Sequence, residues 1–172
     1  LLSLQSRASD NCIKMRKIPY NKLFAQARKE KKPVLCYFHY KECGACISME
    51  RTVFRDTAVA DFYNRHFICY EINTRMGEGI AINKKYYHVQ LHPTFLYLDP
   101  DQKELNKLVG TCSPEEFIRQ GKNALDAKHT LLYLKGQYQS GNRDSDFLFE
   151  YCYRLRDAYE LDSLRVNEYL KT

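Results

Sequence analysis

The chain has 172 residues, 44% hydrophobic and 28% charged, ordinary proportions for a globular protein with one sizeable core and an appendage. No apolar run approaches the roughly 18 residues of a membrane span, so none is expected. The net charge of +6 is concentrated in residues 1–32, which hold nine Lys/Arg against Asp10 and Glu30, but no aromatic-interleaved basic stripe follows, so no nucleic-acid partner is expected.

In chain order, residues 1–17 read as a basic arm without a sustained period, and Leu1-Leu2-Ser3-Leu4 fits the end of a removed export signal. Tyr20, Leu23, Phe24 and Ala27 recur at helical spacing, and Lys31-Lys32-Pro33 stops that helix. A run of β-formers over 34–40 ends just before Cys43-Gly44-Ala45-Cys46, and helical spacing then predicts a helix over 46–54. Asp56 or Thr57 caps a further helix carrying Val59, Phe62 and Tyr63, and 67–72 reads as a second buried strand. Gly77-Glu78-Gly79 is a loop into a helix over 80–87; it lacks the third glycine and the strand context of a dinucleotide fingerprint.

His92-Pro93-Thr94 leads into a third strand over 95–98, and Asp99-Pro100-Asp101-Gln102 is a turn into a return strand over 104–109. Ser113-Pro114-Glu115-Glu116 opens the next helix with a cap, a first-turn proline and a capping-box Glu. The order α-β-α-α-β-α-β-β-α is a three-layer α/β arrangement. Beyond about 128 only helical periods occur. Breaks at Gly136, Gly141-Asn142 and Asp162-Ser163 divide roughly three helices, either a cap on the α/β unit or the start of a helical repeat.

The Cys43-x-x-Cys46 pair stands where a strand hands over to a helix, which signals redox chemistry rather than packing. There the first cysteine meets unpaired N–H groups and the positive end of the helix dipole, both favouring thiolate. Two intervening residues let the second sulfur attack a mixed disulfide formed on the first. Structural zinc needs a second ligand pair, which His39, His66 and Cys69 do not form, so no metal is expected. Haem attachment needs a histidine where Ile47 stands, and an inert structural pair remains the other alternative.

Cys36 and Cys69 read as small buried hydrophobes, while Cys12, Cys112 and Cys152 are too scattered for a disulfide framework. Cys112 is either idle or an additional redox partner. His39 is either a proton donor near Cys43 or a partly exposed strand end, and Glu42 either tunes the thiolate or is simply solvated.

Together these elements resemble the thioredoxin fold. The sub-pattern is similar to the extracytoplasmic bacterial thioredoxin-like (thiol:disulfide interchange) group in KPVL at 32–35, C-x-x-C…ME…VF at 43–54, HPTFLYLDPD at 92–101 and G…SPEEF at 110–117. This resemblance implies an α/β protein: a central mixed sheet flanked by helices over 18–127, an arm over 1–17, and an all-helical extension over 128–172. It implies that Cys43 is the exposed attacking thiolate and Cys46 the buried resolving thiol. Pro93 is then a cis-proline facing the pair, and His92, Pro93 and Thr94 bind an extended substrate by strand-like pairing.

No cofactor is implied beyond a redox-active Cys43–Cys46 disulfide. The implied partners are protein thiols or disulfides and a redox partner protein, in the periplasm or another extracytoplasmic space.

Three positions depart from the family pattern. Tyr37 stands where thioredoxins bury an acid that helps deprotonate the second cysteine, so that general base is missing. Glu42 replaces the usual Trp, and its charge opposes thiolate formation; Gly44-Ala45 replaces the Gly-Pro that helps set redox poise. Two functions follow: a thiol–disulfide oxidoreductase, or a binding module that holds a partner chain in its cis-proline groove with little turnover.

Overall fold

The computed structural model describes residues 12–172. Most of the arm expected over 1–17 lies outside the described residues. Its last part runs beside the sheet, where Met15 bridges Cys69 in parallel and the Arg16 amide donates to the Cys69 carbonyl at 2.8 Å.

Helix α1 (Tyr20–Glu30) buries Leu23, Phe24 and Ala27 and ends on Lys31 in the left-handed conformation, just ahead of Pro33. Strand β1 (Val34–His39) then enters the centre of the sheet. Helix α2 (Gly44–Arg51) starts two residues earlier than the hydrophobic spacing suggests, because Cys43 itself is the cap; a 3-10 turn, Val53–Arg55, follows it. Helix α3 (Thr57–His66) is capped by the Asp56 carboxylate on the Val59 amide at 3.0 Å. Strand β2 (Ile68–Asn73) pairs in parallel with β1 in the register Val34 to Ile68.

The helix expected over 80–87 begins at Glu78: α4 (Glu78–Ile82) runs into a single π-helical turn, Asn83–Tyr87. Two glycines make this possible. Gly77 has φ +61°, and a Cβ on Gly79 would collide with the Asn73 backbone. The loop is therefore a packing device between β2 and α4.

Strands β3 (Thr94–Leu98) and β4 (Glu104–Val109) form the expected hairpin, and β3 also pairs antiparallel with β1, giving the order β2-β1-β3-β4. Helix α5 (Pro114–Leu125) opens on the Ser113 cap. Alternate residues of β1 feed two cores, as strand pleating requires. Leu35 and Tyr37 join Cys46, Met49, Phe54, Tyr63, Phe95 and Phe117 on the α2–α3–α5 face. Val34, Cys36 and Phe38 join Leu23, Phe24, Ile72 and Leu96 on the other. With both faces covered, the central strands read as continuous apolar runs.

Helices α6 (Leu131–Gln139), α7 (Ser145–Asp157) and α8 (Ser163–Tyr169) follow. Gly136 does not break the chain as expected: it lies inside α6, with open space where a Cβ would point. The helix tolerates it because Leu131 and Leu134 anchor that turn in an apolar cluster with Tyr151, Leu155 and Ala158. Helices α6 and α7 pack along β4, covering what would otherwise be an open sheet edge. A buried polar network joins them to the sheet. Arg154 Nη2 donates to Asn106 Oδ1 (2.9 Å), Asn106 Nδ2 to Gln120 Oε1 (2.8 Å), and Gln120 Nε2 to Asp157 Oδ2 (2.8 Å). Among the described residues, no helix is long and apolar enough to cross a membrane.

Candidate active site

Parallel β1 and antiparallel β3 bring two loops to one end of the sheet. Phe38 pairs with Thr94, so the loop leaving β1 and the loop entering β3 emerge together. The first carries Cys43, whose extended backbone caps α2 while its sulfur accepts a hydrogen bond from the Cys46 amide at 3.2 Å. Cys43 and Cys46 are joined as a disulfide with their Cα atoms 5.2 Å apart. The sulfur expected to be exposed belongs to a residue only 5% exposed in this oxidised state, because it is bonded to Cys46 and tucked into the first turn; Cys46 is fully buried. Gly44 and Ala45 form the exposed outer surface of that turn, and Glu42 is exposed beside it.

The second loop holds a cis peptide between His92 and Pro93. Its shape is fixed by its own polar groups. The Thr94 hydroxyl donates to the Leu91 carbonyl (2.7 Å), and the Gly110 amide donates to the Pro93 carbonyl (2.8 Å). Thr94 is 1% exposed, so its side chain serves the loop, while its neighbour His92 is half-buried on the surface. The His92 ring meets Thr74 (Nε2 to Oγ1, 2.8 Å) and the edge of Tyr40, over which the Arg75 guanidinium sits at 3.6 Å. Burial and then the nearby Arg75 charge push the His92 pKa down, favouring the neutral ring.

Tyr37, the residue in place of an acid, packs in the same core cluster as Cys43 and Cys46. Its ring stacks on Phe95 at 5.2 Å and on His39 at 4.8 Å. Its hydroxyl donates to Glu50 Oε1 at 2.9 Å, and burial together with this carboxylate raises its pKa. His39, with a side chain 14% exposed, lies 3.8 Å from both Glu50 and Glu71; burial lowers its pKa against the pull of those carboxylates. It is drawn into this polar cluster at the end of β1. Sequence reasoning missed Glu50, Thr74, Tyr40 and Arg75. For Glu50 a signal existed, because it lies four residues after Cys46, one helical turn on.

Three of the other cysteines are held as thiols by burial. Cys36 and Cys69 are buried and their thiols are pushed up to about 12 by burial. Cys112 is likewise pushed up to about 12 by burial, with Glu116 and Asp157 adding to the effect, which opposes thiolate formation. Among the described residues, no cluster of three His, Cys, Asp or Glu is placed to hold a metal ion.

A four-stranded mixed sheet between helices, with a disulfide at the mouth of α2, defines a thioredoxin-fold protein with a paired-cysteine site. Residues 20–125 match the family model described as a thioredoxin-like domain, and the chain belongs to that family. Solved structures agree on the fold. The chain is similar to a candidate disulphide-isomerase from Bacteroides thetaiotaomicron at 28% identity and TM-score 0.60, covering 70% of this chain and 98% of that one. It is similar to a thioredoxin from Thermus thermophilus at 24% identity and TM-score 0.61, covering 76% and 98%. It is also similar to the DsbD C-terminal domain of Neisseria meningitidis at 18% identity and TM-score 0.51, covering 60% and 90%. No curated protein matches the chain.

Proposed function

We propose that the chain is a thiol–disulfide oxidoreductase that reduces or exchanges disulfides in other proteins. Cys43 attacks a substrate disulfide, or accepts attack when oxidised, and Cys46 resolves the mixed disulfide. The observation that carries this reading is the disulfide itself: its first sulfur caps α2 and accepts a backbone N–H, an arrangement that stabilises negative charge on that sulfur once reduced.

The backbone around His92, Pro93 and Thr94 receives the substrate as an added extended segment, and Gly44, Ala45, Glu42 and His39 adjust the pair's reactivity. The cysteine pair is the only redox group required. Residues 18–127 form the redox unit and 128–172 its helical extension. The partners are substrate protein thiols or disulfides and a protein that resets the pair. The likeness to a candidate disulphide-isomerase supports this class of substrate; the sequence resemblance to the extracytoplasmic thioredoxin-like group is the ground for placing the chain in the periplasm or another extracytoplasmic space.

The test is dithiol-dependent insulin reduction by wild type and Cys43→Ser, with the alkylation rate of Cys43 at neutral pH. Loss of turnover in the variant and alkylation faster than a free thiol are expected. Equal turnover, or an ordinary alkylation rate, overturns the reading and leaves a binding module. Cys46→Ser should trap the partner as a mixed disulfide on Cys43.

A further inference from the structure

Tyr40 joins the two loops that meet at the disulfide. Its carbonyl accepts the Cys43 amide at 3.2 Å, so it opens the turn that presents the first cysteine. Its side chain packs against the core cluster that holds Cys43 and Cys46, and its ring stands against the His92 ring, with centroids 5.1 Å apart and planes at 80°. One face of the Tyr40 ring is covered by the Arg75 guanidinium, whose central carbon lies 3.6 Å from the ring centroid.

The backbone that carries Arg75 is pinned to the end of the sheet. The Thr74 amide donates to the His39 carbonyl at 2.9 Å, and the Arg75 amide donates to Asn73 Oδ1 at 3.0 Å. Because the Thr74 hydroxyl also bonds the His92 ring, the loop leaving β2 is tied to the cis-proline loop. Arg75 is exposed, and among the described residues its guanidinium has neither a carboxylate at ion-pair distance nor a hydrogen-bond acceptor. Contact with a ring leaves its N–H donors without acceptors, so a planar charged fork stands open beside the cis-proline loop. Lys41 and Glu42, both exposed in the cysteine turn, carry opposite charges that offset each other. Met76, next to Arg75, and Leu91, next to His92, are 59% and 44% exposed and add apolar surface.

We propose that Arg75, seated on Tyr40, is an anion-binding subsite of the substrate groove and selects protein segments that carry Asp or Glu close to the cysteine to be exchanged. The proposal rests on the oxidoreductase reading and names its substrate class. A segment received by the cis-proline loop is extended, so its residues advance about 3.3 Å each and alternate in face. With only the Tyr40 ring between Arg75 and His92, the guanidinium meets a side chain about one to three residues from the substrate cysteine. A carboxylate there gains a charge-assisted hydrogen bond, a lysine is repelled, and a neutral side chain gains neither. Tyr40 is the positioning residue: its ring holds the guanidinium on the cis-proline side instead of leaving a long side chain to range through solvent.

The test uses the full chain, reduced, against three synthetic peptide disulfides, each a peptide joined to itself through a single cysteine. The two residues on either side of that cysteine are all Glu, all Gln or all Lys. Acid quenching and chromatography give the rate constant for reduction of each peptide. Flanking charge also alters a disulfide's own reactivity, so the quantity read is the Glu-to-Gln rate ratio of wild type divided by that of Arg75→Gln. A shared loss of stability or of Cys43 reactivity cancels from it. The quotient should be about 3-fold or more at about 0.02 M salt and fall toward unity at about 0.5 M. The matching Lys-to-Gln quotient should lie below unity, and Arg75→Glu should favour the Lys peptide over the Glu peptide. Tyr40→Ala should lose part of the discrimination that Tyr40→Phe keeps. Quotients within about 1.5-fold of unity for both charged peptides at low salt overturn the proposal. Failure of the enclosing reading looks different: wild type then reduces none of the peptides. In that case fluorescence anisotropy of a labelled, cysteine-free Glu peptide on the oxidised chain decides the subsite. Weaker binding to Arg75→Gln than to wild type upholds it, and equal binding overturns it.

Discussion

Replacing Arg154 with Ala tests how the helical extension is held to the sheet. The side chain is 1% exposed and donates to Asn106 Oδ1 and to the His129 carbonyl, each at 2.9 Å. Asn106 is also 1% exposed, so its oxygen would be stranded without water, at about 1–3 kcal/mol. The His129 carbonyl lies nearer the surface and can be rehydrated. Losing the packed stem of so large a side chain adds about 2 kcal/mol. Part of this is offset, because burial lowers the Arg154 pKa and its Nε has no hydrogen-bond partner in the fold. The balance is about 3 kcal/mol, or about 6–12 °C in thermal midpoint for a chain of this length. Circular dichroism melts of the oxidised protein measure it, with Arg154→Met recovering the packing share but not the hydrogen bond. An Ala variant melting within about 2 °C of wild type refutes the reasoning. So does a split melt in which only the helices after Leu125 unfold early, since the network would then not bind extension and sheet into one cooperative unit.

Three further outcomes follow from the packing and the titrating groups. Tyr63→Phe removes a buried hydroxyl bonded to Tyr97 (2.7 Å) and to the Phe117 carbonyl (2.6 Å), and should destabilise by about 1–3 kcal/mol in urea unfolding. Gly79→Ala drives a Cβ into the Asn73 backbone and should lose about 2 kcal/mol or more, whereas Gly44→Ala meets nothing within 4 Å and should leave the melting midpoint unchanged or raise it. His39 and His92 both have folded-state pKa values lowered by burial, so the unfolded chain binds more protons once the pH drops below about 6.5. Stability is then full above that pH and is lost as pH falls toward the folded values. The thermal midpoint should decline from pH 7 to pH 5, and a His39→Asn, His92→Asn double variant should flatten that decline.

The layered core was legible because its signals are local and redundant. Val34 to Phe38 are all apolar with a motif directly after them, Ser113-Pro114-Glu115-Glu116 can hardly be anything but a helix start, and both appear in the structure where the sequence puts them. The turn from α4 into its π segment was not legible, since the pull of Asn83 on residue 89 through two side-chain bonds is visible only in three dimensions. Gly136 misled for a related reason. Glycine weakens a helix by about 1 kcal/mol, yet Leu131 and Leu134 gain more by packing against α7 than the glycine loses.

The same distinction explains what was seen and missed at the disulfide. Cys43 and Cys46 announce themselves by spacing, but an acid that serves them need not occupy one fixed position in the sequence. A carboxylate can approach a buried thiol either from the strand beneath it or from the helix that carries it. When the strand position becomes Tyr37, the phenol fills the core with an apolar ring, and its hydroxyl reaches the Glu50 carboxylate on α2. Keeping the charge off the strand thus avoids burying an ion within the core, while Glu50, partly exposed, stays in reach of water. Tyr37 and Glu50 meet only because β1 and α2 pack against each other, a contact that no spacing in the sequence announces.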